Sequence, residues 1–436
     1  MRLSVIGIGY LGLTHAVCMA DLGHDVLALD VDEDKLGLAA KGEAPFFEPG
    51  LAPLLRKNLD DGRLRFTSSY EEAARFAQVH FLCVGTPQSP DGRADLTQVY
   101  GAAAALAPLL REACLVVGKS TVPPGTARQV MSRLRAAAPA GDDVGVAWSP
   151  EFLREGSAVQ DTLEPGRLVF GVTSQSDVMT LRGVYRQLLE AGTPWLAMGL
   201  ETAELVKVSA NAFLATKISF INEMAEVCEA VGADVVALSR ALSHDDRIGG
   251  RSLSPGAGFG GGCLPKDVRA FRATGRQLGL DSLDRFLAEV EAINLGRRAR
   301  LAALAQEMLG GALPGKRVAV LGVAFKPNSD DVRDSPGLDV CQRLAQAGAV
   351  VCVHDPAAMP NAARLCPELH YRSSVRAAAE AADLVLHVTE WPEYRALDPS
   401  ALAAVVARPN LIDARCVLDA ELWRAAGWSV RVLGQC

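Results

Sequence analysis

The stretch GFGGGCLPKD, residues 258–267, sets one cysteine between a run of glycines and a proline, a lysine and an aspartate. Glycine permits backbone conformations and close ligand approach that side chains resist. Pro265 suits a first helical turn and residues 268–278 continue helically, so the Cys263 thiol is expected at the positive end of a helix. That end and the neighbouring Lys266 both lower a thiol pKa from ~8.5 and favour the nucleophilic thiolate. Asp267 lies four residues on, along the same helical face.

Two other pairs have useful spacing. Lys207 and Asn211 are four apart in a helical run, and Glu151 and Glu155 bracket PEFLRE with the same interval. A cation or amide beside a developing oxyanion, and a carboxylate beside a water, are what acyl chemistry requires. As isolated pairs, the same spacing also describes a solvated helix face.

The elements that must position these groups begin with a short β-rich run at 3–6. It ends in Gly7-Ile8-Gly9-Tyr10-Leu11-Gly12, then a helix over 14–22 and a second strand over 26–29 closed by Asp30. In such a unit the first glycine makes the turn, the second admits a pyrophosphate, and the third lets helix and strand pack closely. Asp30 would accept hydrogen bonds from ribose hydroxyls and repel a 2′-phosphate, so NAD is expected rather than NADP. Strands and helices keep alternating through 79–84, 115–119 and 144–148, followed by the loops GTP (85–87), STVPPGT (120–126) and SPEFLREG (149–156). Loops at strand carboxyl ends are where open α/β sheets bind ligands.

Residues 201–231 then run without proline or glycine, and a second helical stretch covers 282–309. Beyond a Gly- and Pro-rich turn at 310–315 the opening plan recurs: RVAVLG (317–322) answers RLSVIG (2–7), and VVCVHD (350–355) answers VLALD (26–30). The second half lacks GxGxxG and instead carries Lys326 and Arg333 after Gly322, which suits an anion held by side chains. The expected fold is α/β, with two Rossmann-like doubly wound domains (1–198 and 311–436) joined by a helical central region with a long helix (199–310).

A dinucleotide site together with a nucleophilic cysteine suggests oxidation past the aldehyde. An alcohol loses one hydride, a thiolate adds to the aldehyde, and the thiohemiacetal loses a second hydride to give a thioester that water hydrolyses. Composition sets the outer bounds: 436 residues imply more than one core, and 49% hydrophobic with 22% charged residues describe an ordinary globular chain. A net charge of −7 argues against a general nucleic-acid or anionic-membrane surface. The ten cysteines show no CxxC pair, and nearly all of those other than Cys263 are expected as buried structural thiols in a reducing cytoplasm. The first residues lack a signal peptide's pattern, and no run reaches the roughly 18 apolar residues of a membrane span.

In order and spacing, GIGYLGL (7–13), CVGTPQSPDGRADL (83–96), KSTVPPGTA (119–127), SPEFLREGSAVQD (149–161), ELVKVSANAFLATKISFINE (204–223), DDRIGG (245–250), GFGGGCLPKD (258–267) and VLGVAFKPNSDDVRDSP (320–336) resemble the UDP-glucose and GDP-mannose dehydrogenase family over essentially the whole chain. The UDP-glucose branch is the most similar. The resemblance implies NAD-dependent four-electron oxidation of UDP-glucose to UDP-glucuronate, with Cys263 as nucleophile and Lys207, Asn211 and Asp267 around the reacting carbon. Lys207 would stabilise the oxyanion with Asn211 assisting, Asp267 would serve proton transfers, Thr121 and Glu155 would hold the water, and Glu151 would support them. For NAD it implies Gly7, Gly9, Tyr10, Leu11, Gly12, Asp30, Lys35, Thr86, Thr121, Glu155, Cys263, Lys266 and Arg333. For the UDP-sugar it implies Glu151, Phe152, Leu153, Arg154, Lys207, Asn211, Gly256, Phe259, Gly260, Cys263, Phe325 and Lys326, with Arg247 reaching a neighbouring subunit's substrate in a homodimer or higher homo-oligomer.

The chain departs from the family pattern at Ser252, where an aromatic is common, at Gly262, where serine is usual, and at Cys416, where asparagine is frequent. Competing readings are the same chemistry on GDP-mannose or a UDP-N-acetylhexosamine, or a two-electron hydroxyacid-type dehydrogenase that would need neither Cys263 nor a second Rossmann half. A silent NAD-sensing scaffold is disfavoured by the retained Lys207, Asn211, Cys263 and Asp267.

Overall fold

The computed structural model describes residues 1–435. The first sheet comprises β1 (Arg2–Ile6), β2 (Asp25–Leu29), β3 (Leu64–Thr67), β4 (Val79–Leu82), β5 (Cys114–Gly118), β6 (Val144–Trp148), β7 (Leu168–Gly171) and β8 (Trp195–Met198). Its order is β3-β2-β1-β4-β5-β6-β7-β8, parallel except where β7 meets β6. The central strands are apolar along their length because both faces are covered. Leu3, Val5, Val26, Ala28, Val79 and Phe81 enter one core cluster, while Ile6, Leu27, Leu29 and Leu82 enter the other. That period-two split divides the helices into two layers around the sheet.

The second sheet comprises β9 (Arg317–Leu321), β10 (Val350–His354), β11 (His370–Tyr371), β12 (Leu384–His387), β13 (Asn410–Asp413) and β14 (Ser429–Val432). All its pairings are parallel and its order is β11-β10-β9-β12-β13-β14. Both sheets thus contain the 3-2-1-4-5-6 order of the dinucleotide-binding fold, and the repeat expected from the sequence is real. It extends to side chains: Asp30 at the end of β2 accepts from the Ile8 N–H (2.8 Å), and Asp355 after β10 accepts from Val323 (2.8 Å) and Ala324 (2.9 Å).

The proline- and glycine-free run forms a 32-residue helix, Leu200–Val231, about 48 Å long. Gly232, in the left-handed region at φ +74°, follows its last turn, where a Cβ would be strained. Two antiparallel helices, Leu264–Gln277 and Asp281–Met308, are tied by Arg269–Glu291, Arg272–Asp284 and Arg272–Glu291 ion pairs. The chain divides into two compact units, Met1–Ala210 and the residues from Asn211 onward. Among the described residues no helix is long and apolar enough to cross a membrane.

Candidate active site

Within the second unit, Cys263 is the N-cap of the Leu264–Gln277 helix, with Pro265 in its first turn, as the sequence predicts. Nine cysteines are described, none of them in a disulfide; six are buried, Cys114 and Cys416 are half-buried, and Cys263 is exposed. Cys436 lies outside the described residues. The glycines before Cys263 are explained by what lies against them. A Cβ at Gly260 would overlap the Asp334 carbonyl, one at Gly261 the Phe325 ring, and one at Gly262 the Arg333 guanidinium. The loop is held there by Gly261 N–H to the Arg333 carbonyl (2.8 Å), and Asn294 grips Phe259 at both its N–H (2.7 Å) and its C=O (3.0 Å). Gly256 donates to Asn222 (2.9 Å).

One turn beyond the thiol, the buried Asp267 accepts from Asn211 Nδ2 (2.6 Å) and from Lys266 Nζ (2.7 Å). A carboxylate held by an amide and an ammonium keeps a fixed orientation beside the helix start. Asn211 is itself buried, so its helix position is not a solvated face. Arg333 lies against Asp331 (2.6 Å), and Arg247, with its side chain 89% exposed, pairs with Asp245 (2.6 Å). Lys326 and Phe325 are half-buried neighbours in the loop after β9, 5.3 Å from ammonium to ring centre.

Within the first unit the glycine turn has the shape of a dinucleotide cradle. Gly7 takes φ +92° and a Cβ at Gly12 would run into the Gly7 carbonyl, whereas Gly9 faces open space. The helix beginning at Tyr10 (Tyr10–Asp21) has Gly9 as N-cap and no side-chain cap, leaving its first N–H groups for a ligand. Asp30 is anchored from Ile8 and Asp32 (3.0 Å), and Leu11 packs against the core. An uncapped helix start with an open side and an acid at the neighbouring strand end fits a dinucleotide pyrophosphate and ribose. Lys35 pairs with Asp32 (3.1 Å), and Thr86 Oγ1 donates to the Thr121 carbonyl (2.9 Å). The Tyr10 hydroxyl donates to Glu48, and burial together with that carboxylate pushes the phenol far above its ordinary pKa.

Residues 149–156 form no helix, so Glu151 and Glu155 do not share a helix face. Glu151 is held by Lys119 Nζ (2.9 Å) and accepts from the Phe152 (2.8 Å) and Leu153 (3.1 Å) N–H groups. Burial pushes this carboxyl up, but Lys119 and the backbone donors outweigh it and hold the group below its usual value. Glu155 sits half-buried in the following turn, and Arg154 grips Asp161 through two side-chain bonds (2.6 and 2.9 Å). The Lys207 ammonium lies 5.6 Å from the Phe152 ring centre, a cation–π approach that brings two expected site residues together.

Some supporting residues escape sequence reasoning. Glu48 accepts from Gly156 and Ala158 (2.7 Å each), tying Tyr10 to the 149–157 segment. Lys119 acts in the same way on that segment, and Glu204 and Asn294 on other loops. Each meets its partner across at least 30 positions of sequence, which no local pattern announces.

Comparison with known proteins follows the same division. Residues 1–189 match the NAD binding domain of the UDP-glucose/GDP-mannose dehydrogenase family, residues 201–295 its central domain and residues 319–420 its UDP binding domain. A UDP-glucose 6-dehydrogenase of Rhizobium meliloti is 43% identical over 95% of this chain and 95% of its own, and one of Pseudomonas aeruginosa is 42% identical over 95% and 93%. A solved UDP-glucose dehydrogenase structure from the hyperthermophilic archaeon Pyrobaculum islandicum superposes with a TM-score of 0.90 at 38% identity, covering 98% of each chain. The glycine cradle of the first unit is accordingly part of an NAD-binding domain. Matched in all three of its domains and at this identity along nearly its whole length, the chain belongs to the UDP-glucose/GDP-mannose dehydrogenase family.

Proposed function

We propose that this chain oxidises UDP-glucose to UDP-glucuronate by way of a thiohemiacetal and then a thioester on Cys263. The overall reaction, NAD-dependent oxidation of UDP-glucose, is that of its relatives. The covalent route rests on one observation: among the described cysteines Cys263 alone is exposed, and it stands at the N-cap of a helix whose start has no side-chain cap bond. NAD, when bound, supplies the hydride acceptor. The substrate alcohol loses one hydride to give an aldehyde, the Cys263 thiolate adds to the aldehyde carbon, loss of a second hydride from the adduct leaves a thioester, and water cleaves it to the carboxylate and the free thiol.

In this reading Asp267, oriented by Asn211 and Lys266, exchanges the proton at the substrate oxygen, and Lys207 with Asn211 stabilises the oxyanion. Glu155 and Thr121 hold the hydrolytic water. Glu151, already occupied by Lys119 and two backbone donors, shapes the loop that presents Phe152, Leu153 and Arg154 rather than moving a proton. The test counts NADH. Two per UDP-glucose are expected, and Cys263→Ala is expected to lose uronate formation while keeping NAD binding. One NADH with an accumulating carbonyl product would favour the two-electron alternative. Faster turnover of GDP-mannose or a UDP-N-acetylhexosamine would move the substrate assignment.

The chain acts as a homodimer joined through its central helix, where Phe213, Phe220 and Val227 recur every seven residues at 64%, 48% and 50% exposure. A heptad row of large apolar side chains on one helix is self-complementary about a two-fold axis, so a second copy is the occupant we assign to it. The exposed Arg247 is then free of its own unit's core to reach across to a partner's substrate. The domains are 1–198, 199–310 and 311–436, and the described cysteines, none of them in a disulfide, suit the cytoplasm.

A further inference from the structure

The structure assigns to Glu204 the role of a positioning residue that locks the Lys207 turn of the long helix to the loop carrying Thr121. Glu204 is 2% exposed and lies three residues before Lys207, about 4.5 Å along the helix axis. Its two carboxylate oxygens divide between two donors: Oε2 accepts from the Gly125 N–H and Oε1 from the Ala127 N–H, both at 2.6 Å. These are orphan donors at the start of the Thr126–Ala137 helix. Its N-cap, Gly125, stands at φ +91°, a conformation that the usual capping residues Ser, Thr and Asp avoid. The cap must therefore come from elsewhere in the chain, and Glu204 supplies it, adding a negative charge at a positive helix end when its carboxyl is ionised.

The other end of the same loop is fixed independently. Ser120 Oγ donates to the Val84 carbonyl (2.6 Å), Trp148 Nε1 to the Ser120 carbonyl (3.1 Å), and Thr86 to the Thr121 carbonyl (2.9 Å). Thr121 is thus stapled to the sheet on one side and to the long helix on the other. The nearby Arg128–Glu201 pair (2.6 Å) spans the same two elements, but its side chains are 59% and 42% exposed and solvent screens it. The buried bidentate tie is what sets the height of Lys207 against Thr121.

This inference rests on the roles given above to Lys207 and Thr121. Its test uses Glu204→Gln, which keeps one acceptor and turns an amide against the second N–H, and Glu204→Asp, one methylene too short to reach both. With the full-length enzyme, kcat is expected to fall about 10- to 100-fold in both variants with KM for NAD and UDP-glucose within about twofold, since a small displacement costs rate rather than binding. A pH profile separates positioning from mere support. Burial pushes the Glu204 carboxyl up to about 7 against its two backbone donors, with Glu201 adding to the rise and Arg128 opposing it; Tyr100 is the further titratable neighbour. Protonation as pH falls through that value removes one acceptor, so wild-type kcat should show an acid limb near 7 that Glu204→Gln lacks. A Gln variant with wild-type kcat and the wild-type limb overturns the inference, even if it melts earlier. Lys207→Ala and Thr121→Ala run beside it. If they lose turnover while the Glu204 variants keep it, only the tether is wrong; if they keep turnover, the site reading fails and takes the tether with it.

Discussion

Replacing Lys119 with methionine would leave the buried Glu151 carboxylate without its cation. The pair is 2.9 Å apart with side chains 5% and 19% exposed, so water cannot take the place of the ammonium at Oε2. Removing one partner of a buried ion pair costs about 3 to 5 kcal/mol. The lower half of that range is expected, because Oε1 keeps its two N–H donors from Phe152 and Leu153. For a unit of about 200 residues, at 2 to 4 °C per kcal/mol, the melting temperature should drop by about 6 to 16 °C. The fluorescence of Trp148 and Trp195 reports on this unit in thermal or urea unfolding. Adding Glu151→Gln to Lys119→Met should recover most of the loss, since no unpaired charge remains and the amide oxygen still serves the loop.

The pH dependence gives a second, sharper sign. In the wild type the Glu151 carboxyl is held below its ordinary 4.5, so its contribution is present above that value and is lost as pH falls through the folded pKa. Without Lys119, burial dominates and the carboxyl rises above 4.5. The variant should then gain stability relative to the wild type as pH falls from about 7 toward 4.5. A Lys119→Met protein that melts within 2 °C of the wild type, or one whose stability difference is the same at both ends of that range, would refute the reasoning.

Three other outcomes are expected. His15 is buried with both ring nitrogens unpartnered, and burial with Lys119 nearby holds its pKa well below 6.5. Native stability should therefore fall as pH drops below about 6.5, where the unfolded chain binds a proton that the folded chain refuses, and His15→Met should reduce the slope by up to about 1.4 kcal/mol per pH unit in a urea titration. Cys416 and Ser252 both sit in the left-handed region, at φ +56° and +63°. Asparagine tolerates that region, so Cys416→Asn should raise the urea midpoint by the equivalent of about 1 kcal/mol, and an unchanged or lower midpoint would mean that the thiol's bond to the Leu433 carbonyl (3.1 Å) matters more. Phe213→Glu with Phe220→Glu should convert a dimer to a monomer by light scattering, and an unchanged mass would exclude the central-helix interface.

Much of the site was legible because its signals are local. GxGxxG after an apolar strand, an acid closing the next strand, and a cysteine ahead of Pro-Lys-Asp each state a backbone requirement within a few residues. Helix ends were less so: the first helix begins at Tyr10 rather than at 14, because the glycine turn passes directly into it. β3, β7 and β8 carried no glycine-rich loop or repeat to mark them, and the antiparallel meeting of β7 with β6 depends on a partner chosen at a distance. The departures at Ser252, Gly262 and Cys416 were visible as residue types, but two prove to be left-handed backbone positions and the third makes room for Arg333.

By itself the sequence determined the repeat of two doubly wound halves, the long helix between them, the dinucleotide turn and the exposed cysteine at a helix start. Those follow from hydrophobic period, glycine and proline placement, and helix-end chemistry, all of which act over a turn or a strand. Only the tertiary structure decided that Glu151 is spent on Lys119, that Asp267 is oriented by Asn211, and that Glu204 caps a helix 77 residues away. A buried carboxylate must find donors wherever folding brings them, and that choice is made by packing rather than by neighbours in the chain.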